Sequence, residues 1–106
     1  MIRWVQESDR QALVTLLEAT DQIPRAYGAD GLDGWWLVDE QAGQLRGAVR
    51  WEWGRPELWV HALAVAPPEH GTGRTGLRLL QTVAGLARAY GAVGLAGFAR
   101  ADRPAA

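Results

Sequence analysis

Two histidines, His61 and His70, are the only side chains in this sequence that titrate near neutrality. All eleven basic residues are arginine, and cysteine is absent. Without lysine there is no Schiff-base chemistry and no Walker-type phosphate loop. Without cysteine there are no disulfides, no thiolate nucleophile and no thiolate metal site. The densest chemistry lies in His70-Gly71-Thr72-Gly73-Arg74-Thr75-Gly76, where three glycines, two hydroxyls and a guanidinium precede an amphipathic run. His61, in the apolar stretch Leu58–Ala66, is the candidate general base, since an ordinary imidazole takes protons around neutrality. A half-buried strand histidine packed between Trp59 and Leu63 is the competing reading. Glu52 and Glu57 are secondary candidates.

Three readings fit the glycine-rich segment. Gly71 to Gly76 satisfies the dinucleotide pattern G-x-G-x-x-G, yet no acidic residue ends the following apolar segment Ala92–Ala99, as that motif requires. The glycines could serve only a tight turn, although three in six residues cost backbone entropy on folding. Or the segment cradles a phosphate: first-turn amides and the positive helix end converge on an anion, with Thr72, Arg74 and Thr75 adding donors. His70 is then either a donor to that phosphate or a plain loop residue.

The elements that must position these groups follow from hydrophobic period. Residues 2–6 read as a strand, and Ser8-Asp9-Arg10-Gln11 as a capping box opening a helix through Leu13, Leu16, Leu17 and Thr20. Asp21 to Gly34 is an irregular loop with room for one helical turn. Trp35–Val38, Leu45–Trp53 and Leu58–Ala66 read as a meander of strands, closed by Pro67-Pro68. A helix over Thr75–Tyr90 follows, with Leu79, Val83, Leu86 and Tyr90 in one apolar row and Leu77, Leu80, Ala84 and Ala87 in a second. Gly91 sits at its end and Ala92–Ala99 forms a last strand, parallel to its predecessor in the meander. The predicted class is α/β: a mixed, mostly antiparallel five-stranded sheet with helices on both faces, in one domain over 1–99 with a frayed tail over 100–106.

The formal net charge of −1 offers no global field for nucleic acid. Charge is nevertheless divided: residues 18–45 carry six acids against Arg25, and residues 46–106 carry eight arginines against four acids. That division is either solvated surface or a basic half for an anionic ligand beside an acidic half for a cationic one. No apolar run approaches the ~18 residues of a membrane span, and no signal segment opens the chain, so a cytoplasmic protein is expected. Six tryptophans, Trp4, Trp35, Trp36, Trp51, Trp53 and Trp59, all fall in strand segments, where core packing is their expected role.

Val65-Ala66-Pro67-Pro68-Glu69-His70-Gly71-Thr72-Gly73-Arg74-Thr75-Gly76-Leu77-Arg78-Leu79-Leu80 resembles the acetyl-CoA motif of the GCN5-related N-acetyltransferases. That motif runs V-x-P, then R/Q-x-x-G-x-G/A, then a helix opening with small and aliphatic residues. Gly73 matches its central glycine, His70 stands at the Arg or Gln position, and Thr75 replaces the final Gly or Ala. The element order resembles the family along almost the whole chain, and His61-Ala62-Leu63-Ala64-Val65 is similar to its aralkylamine branch. The resemblance implies acetyl-CoA as cosubstrate, without a metal. Amides of Gly71, Thr72, Gly73, Arg74 and Thr75 would bind the pyrophosphate, Leu63 and Val65 would pair with the pantetheine arm, and a backbone amide near Leu63 would polarise the thioester. It also implies His61 as base, two residues before Leu63 and on that residue's strand face.

The resemblance breaks off after the fifth strand, where the family continues with a helix and two strands that complete the acceptor pocket and supply a tyrosine acid. Tyr90 reads as core, and Tyr27 reaches the site only if the 21–34 loop folds over it. Two functions follow as expectations: an acetyl-CoA-dependent N-acetyltransferase acting on a primary amine of a small molecule or peptide, or a non-catalytic CoA-binding or interaction module. The apolar fifth strand, with no charge or proline to guard its edge, predicts a homodimer.

Overall fold

The computed structural model describes residues 1–28, 33–54, 56–67, 74–92 and 94–97, with backbone alone at 95–97. His70, Gly71, Thr72, Gly73, Val93, Phe98, Ala99 and the 100–106 tail lie outside the described residues. Strand β1 (Ile2–Trp4) leads through a 3₁₀ turn, Glu7–Asp9, into helix α1 (Arg10–Ala19). A second 3₁₀ turn, Pro24–Tyr27, interrupts the long connection to β2 (Trp35–Gln41), β3 (Gln44–Glu52) and β4 (Glu57–Val65). Helix α2 (Arg74–Ala89) then crosses over to β5 (Gly94–Gly97). The five strands lie in chain order, antiparallel except for the parallel β4–β5 pair. This is the predicted mixed sheet.

Period-2 alternation divides the core into two layers. Trp36, Val38, Ala48, Ala62 and Ala64 face α1, meeting Leu13, Leu16 and Leu17. Leu37, Val49, Trp51 and Leu58 face the other way, meeting Leu79, Val83 and Ala87 of α2. Leu13, Leu17, Leu58, Leu79 and Val83 are wholly buried, and each contributes about 1.5–3 kcal/mol by leaving water. The helices therefore cover opposite faces.

Several local expectations change. The cap of α1 is not Ser8, which is exposed. The capping box belongs to the preceding 3₁₀ turn, between Gln6 and Asp9: Asp9 Oδ2 accepts the Gln6 N–H at 2.7 Å, and the Arg3 guanidinium grips both carboxylate oxygens at 2.7 and 2.9 Å. The Arg3 hydrogen bonds keep the Asp9 carboxyl below its usual range despite its burial. Strand β2 runs to Gln41 rather than Val38, because Asp39 is buried against α2 and the turn is only Ala42-Gly43. Both turn residues have positive φ, 51° and 78°, the signature of a tight hairpin turn matched to strand twist.

Both helices end in a left-handed residue that recaptures the last carbonyls. After α2, the expected Gly91 has φ +86°, and the Ala92 amide bonds the Ala87 carbonyl at 2.9 Å. After α1 the same motif is built on Asp21 at φ 61°, so that the Gln22 amide bonds the Leu17 carbonyl at 2.9 Å. Tyr90 is exposed, lying edge-on to Trp53, and Leu77 is exposed too. Helix α2 buries a narrower stripe than its two apolar rows predict. Among the tryptophans only Trp36 and Trp51 are fully buried; Trp4, Trp35 and Trp53 surround Trp51 as a half-exposed aromatic cluster.

Candidate functional site

A slip in the β3–β4 ladder creates the site. Arg50 pairs with Ala62 but Trp51 pairs with Val60, so His61 is an extra residue bulged out of the pairing. The bulge resets strand parity. Leu58 and Val60 face α2 before it, Ala62 and Ala64 face α1 after it, and Leu63 and Val65 lie under Gly76 of α2. The β4–β5 pairing stops at the same point: its last register is Val60↔Gly97. Among the described residues, the edge of β4 from His61 to Val65 has no strand beside it.

Register decides which groups that edge presents. The Ala66 amide bonds the Arg46 carbonyl at 2.8 Å, and hydrogen-bonded pairs alternate with non-bonded pairs along an antiparallel ladder. Ala64 and Ala62 therefore spend their N–H and C=O groups on β3. Leu63 and Val65, opposite Val49 and Gly47, turn theirs outward along the open edge. These are the two strand residues singled out in the sequence.

His61 meets Glu52 of β3, Nε2 to Oε2 at 2.6 Å. Val49 and Trp51 point to α2, so Glu52 lies on the opposite, α1 face, and His61 joins it there. The expectation that His61 shares the face of Leu63 is thus corrected, and the added bulge residue is the reason. Two lone pairs would repel at this distance, so Nε2 carries a hydrogen toward the carboxylate, and whenever the ring is neutral its lone pair is on Nδ1. Glu52 is the orienting partner of His61. Glu57 is the first residue of β4.

Among its described residues, the 21–34 connection reaches this edge through Gln22. Gln22, aimed by the turn at Asp21, donates from Nε2 to the Leu63 carbonyl at 3.2 Å. The Tyr27 hydroxyl donates to Gln22 Oε1 at 3.0 Å. Tyr27 packs edge-on against Trp36, with the Arg50 guanidinium 5.4 Å above its ring. Burial pushes the Tyr27 phenol up, partly offset by the Arg50 charge. Nothing in the sequence singles out Gln22, because its reach depends on a left-handed Asp21 that propensity does not foresee.

At the other end, Arg74 is exposed as the first residue of α2, while Thr75 is fully buried. The Thr75 hydroxyl accepts from Gln41 Nε2 at 3.2 Å and from Arg78 at 3.5 Å. The first turn of α2 is clamped to β2: Arg78 donates to Asp39 at 2.7 Å, and Gln41 does so at 3.0 Å. Burial pushes the Asp39 carboxyl up, but these bonds and the Met1 amino group outweigh it and hold it low. Gly47 permits the close approach, since a methyl there would lie 2.5 Å from Thr75 Cγ2. Among the described residues no cluster of three His, Asp or Glu could hold a metal, and no helix is long and apolar enough to cross a membrane.

No protein-family model matches the chain, and neither does any curated protein. Solved structures do. A ribosomal-protein-alanine N-acetyltransferase from Brucella melitensis aligns with TM-score 0.76 at 20% identity, over 96% of this chain and 81% of that one. A transcriptional regulator from Bacillus halodurans aligns with TM-score 0.74 at 15% identity, over 98% and 84%. A GNAT family acetyltransferase from Brucella melitensis, solved with acetyl-CoA, aligns with TM-score 0.68 at 21% identity, over 96% and 77%. At such identities the likeness is one of fold, and the fold is that of the GCN5-related (GNAT) acetyltransferases.

Proposed function

We propose that this chain is an acetyl-CoA-dependent N-acetyltransferase that acts on a primary amine of a small molecule or peptide. The supporting observation is the open edge of β4, where Leu63 and Val65 turn N–H and C=O groups outward beside the start of α2. A peptide-like arm pairs with such an edge as an added strand would. Acetyl-CoA fits it: the pantetheine amides lie along Leu63 and Val65. The pyrophosphate lies at the head of α2, held by His70, the amides of Gly71, Thr72, Gly73 and Thr75, and Arg74. The cosubstrate supplies the acetyl group as a thioester and departs as the thiol.

His61 Nδ1 takes a proton from the acceptor ammonium while Glu52 holds the ring and steadies the imidazolium. The freed amine attacks the thioester carbonyl, and the outward Leu63 N–H donates to the oxygen as it gains charge. The carbon–sulfur bond then breaks. The second proton shed by nitrogen balances the one that the departing sulfur takes from solvent. The acidic connection over residues 18–45 draws in a cationic acceptor, and the arginines of the C-terminal half favour the polyanionic cosubstrate.

A thiol-release assay over a broad amine panel tests this function. His61→Ala should lower turnover about 10²- to 10⁴-fold with acetyl-CoA affinity nearly unchanged, because a base acts in the transition state. Saturable CoA binding with no release for any amine would replace the enzyme with the non-catalytic CoA-binding module. Full activity of the variant would remove His61 from the mechanism.

A further inference from the structure

The Leu63 carbonyl is the outward acceptor nearest the bulge, and it accepts from this chain's own Gln22 side chain at 3.2 Å. A primary carboxamide is chemically the same donor that an amide-bearing ligand arm would bring to a strand edge. Gln22 holds this position through a short relay. Its Oε1 accepts from Tyr27, its Nε2 also approaches Thr20 Oγ1 at 3.3 Å, and its backbone amide is tied to the end of α1. Tyr27 is anchored in turn on Trp36.

We infer that Gln22 is a placeholder at the ligand edge: its carboxamide occupies the Leu63 carbonyl that an amide of the incoming ligand takes, so ligand entry releases the Gln22–Tyr27 segment. This rests on the proposed acetyl-CoA binding and adds a competing contact built into the fold. Only hydrogen bonds are exchanged. The Leu63 carbonyl trades one amide donor for another, while Gln22 and Tyr27 turn to solvent or to the second substrate.

Two signatures separate this from an ordinary binding loop. A loop that closes over its ligand gains amide protection when the ligand binds. Here the Ala26 and Gly28 amides, which bond the Ile23 and Arg25 carbonyls, should lose protection as Leu63 and Val65 gain it. Deleting the competitor should also tighten binding, by about threefold to tenfold for one net hydrogen bond. The experiment is calorimetric titration of acetyl-CoA into the intact chain and into Gln22→Ala and Tyr27→Phe, with hydrogen exchange on each. Tighter binding by Gln22→Ala, with a smaller gain for Tyr27→Phe, together with the opposed exchange changes is the expected result. Equal or weaker binding by Gln22→Ala, or gained protection at Ala26 and Gly28, overturns the placeholder. Absence of any saturable binding by the unaltered chain would instead overturn the acetyl-CoA proposal.

Discussion

Gly47 is where a single methyl should act on both stability and the site. A Cβ there would lie 2.5 Å from Thr75 Cγ2, 2.9 Å from Leu79 Cδ1 and 3.3 Å from the Ala64 carbonyl. Carbon atoms pack best at about 3.5–4.0 Å, so Gly47→Ala must lift the first turn of α2 by roughly 1 Å. Overpacking of this kind costs about 1–3 kcal/mol. For a domain near this size each kcal/mol lowers Tm by about 4–8 °C. The worst contact is with a single methyl group, which Thr75→Ser removes while keeping the hydroxyl that Gln41 bonds at 3.2 Å. Urea unfolding of both single variants and the double variant forms a closed cycle. The double variant should be more stable than the sum of the singles by about 1 kcal/mol or more, and part of any acetyl-CoA affinity lost in Gly47→Ala should return. Strict additivity would refute the placement of α2 against β3.

Ala42 has φ 51° in the β2–β3 turn, a region that disfavours alanine by about 1–2 kcal/mol; Ala42→Asn should raise stability by about 1 kcal/mol in urea melts. Asp39→Asn should cost about 1–3 kcal/mol at neutral pH by weakening its bonds to Arg78 and Gln41. Because the folded Asp39 carboxyl titrates below its ordinary value, its contribution is present above about pH 4. It is lost as pH falls through the depressed value, so the gap between Asp39→Asn and the unaltered chain should close in acid melts. β5 borders the sheet among the described residues, and the proposed homodimer should show as a doubled mass in light scattering that Leu95→Arg abolishes.

The order of elements was legible because each carries its own pattern: a short apolar run in Trp35 to Val38, helical spacing in Leu13 to Leu17 and Leu79 to Val83. Gly91 marked a helix end by its type. The His61 bulge was not legible: Trp59, Leu63 and Val65 share one parity, as an unbroken strand would have them, and the slip shows only where Trp51 pairs with Val60. Glu52 could be named as a reactive group but not as the partner of His61, since that pairing needs the bulge. Gln22 was illegible, because its position follows from a left-handed aspartate and a tertiary contact 41 residues away. Asp39 lay in a run that read as a turn. Its burial depends on Arg78 arriving from α2, a distant ion pair that local pattern cannot anticipate.

Titration of acetyl-CoA into isotope-labelled protein, followed amide by amide, tests the proposed site most directly. The Leu63 and Val65 amides face the open edge, whereas those of Ala62 and Ala64 already bond β3. Saturable shifts and slowed exchange at Leu63 and Val65, with Ala62 and Ala64 little changed, are the predicted result. No saturable change along β4, or equal change at all four amides, would contradict the placement of acetyl-CoA on this edge.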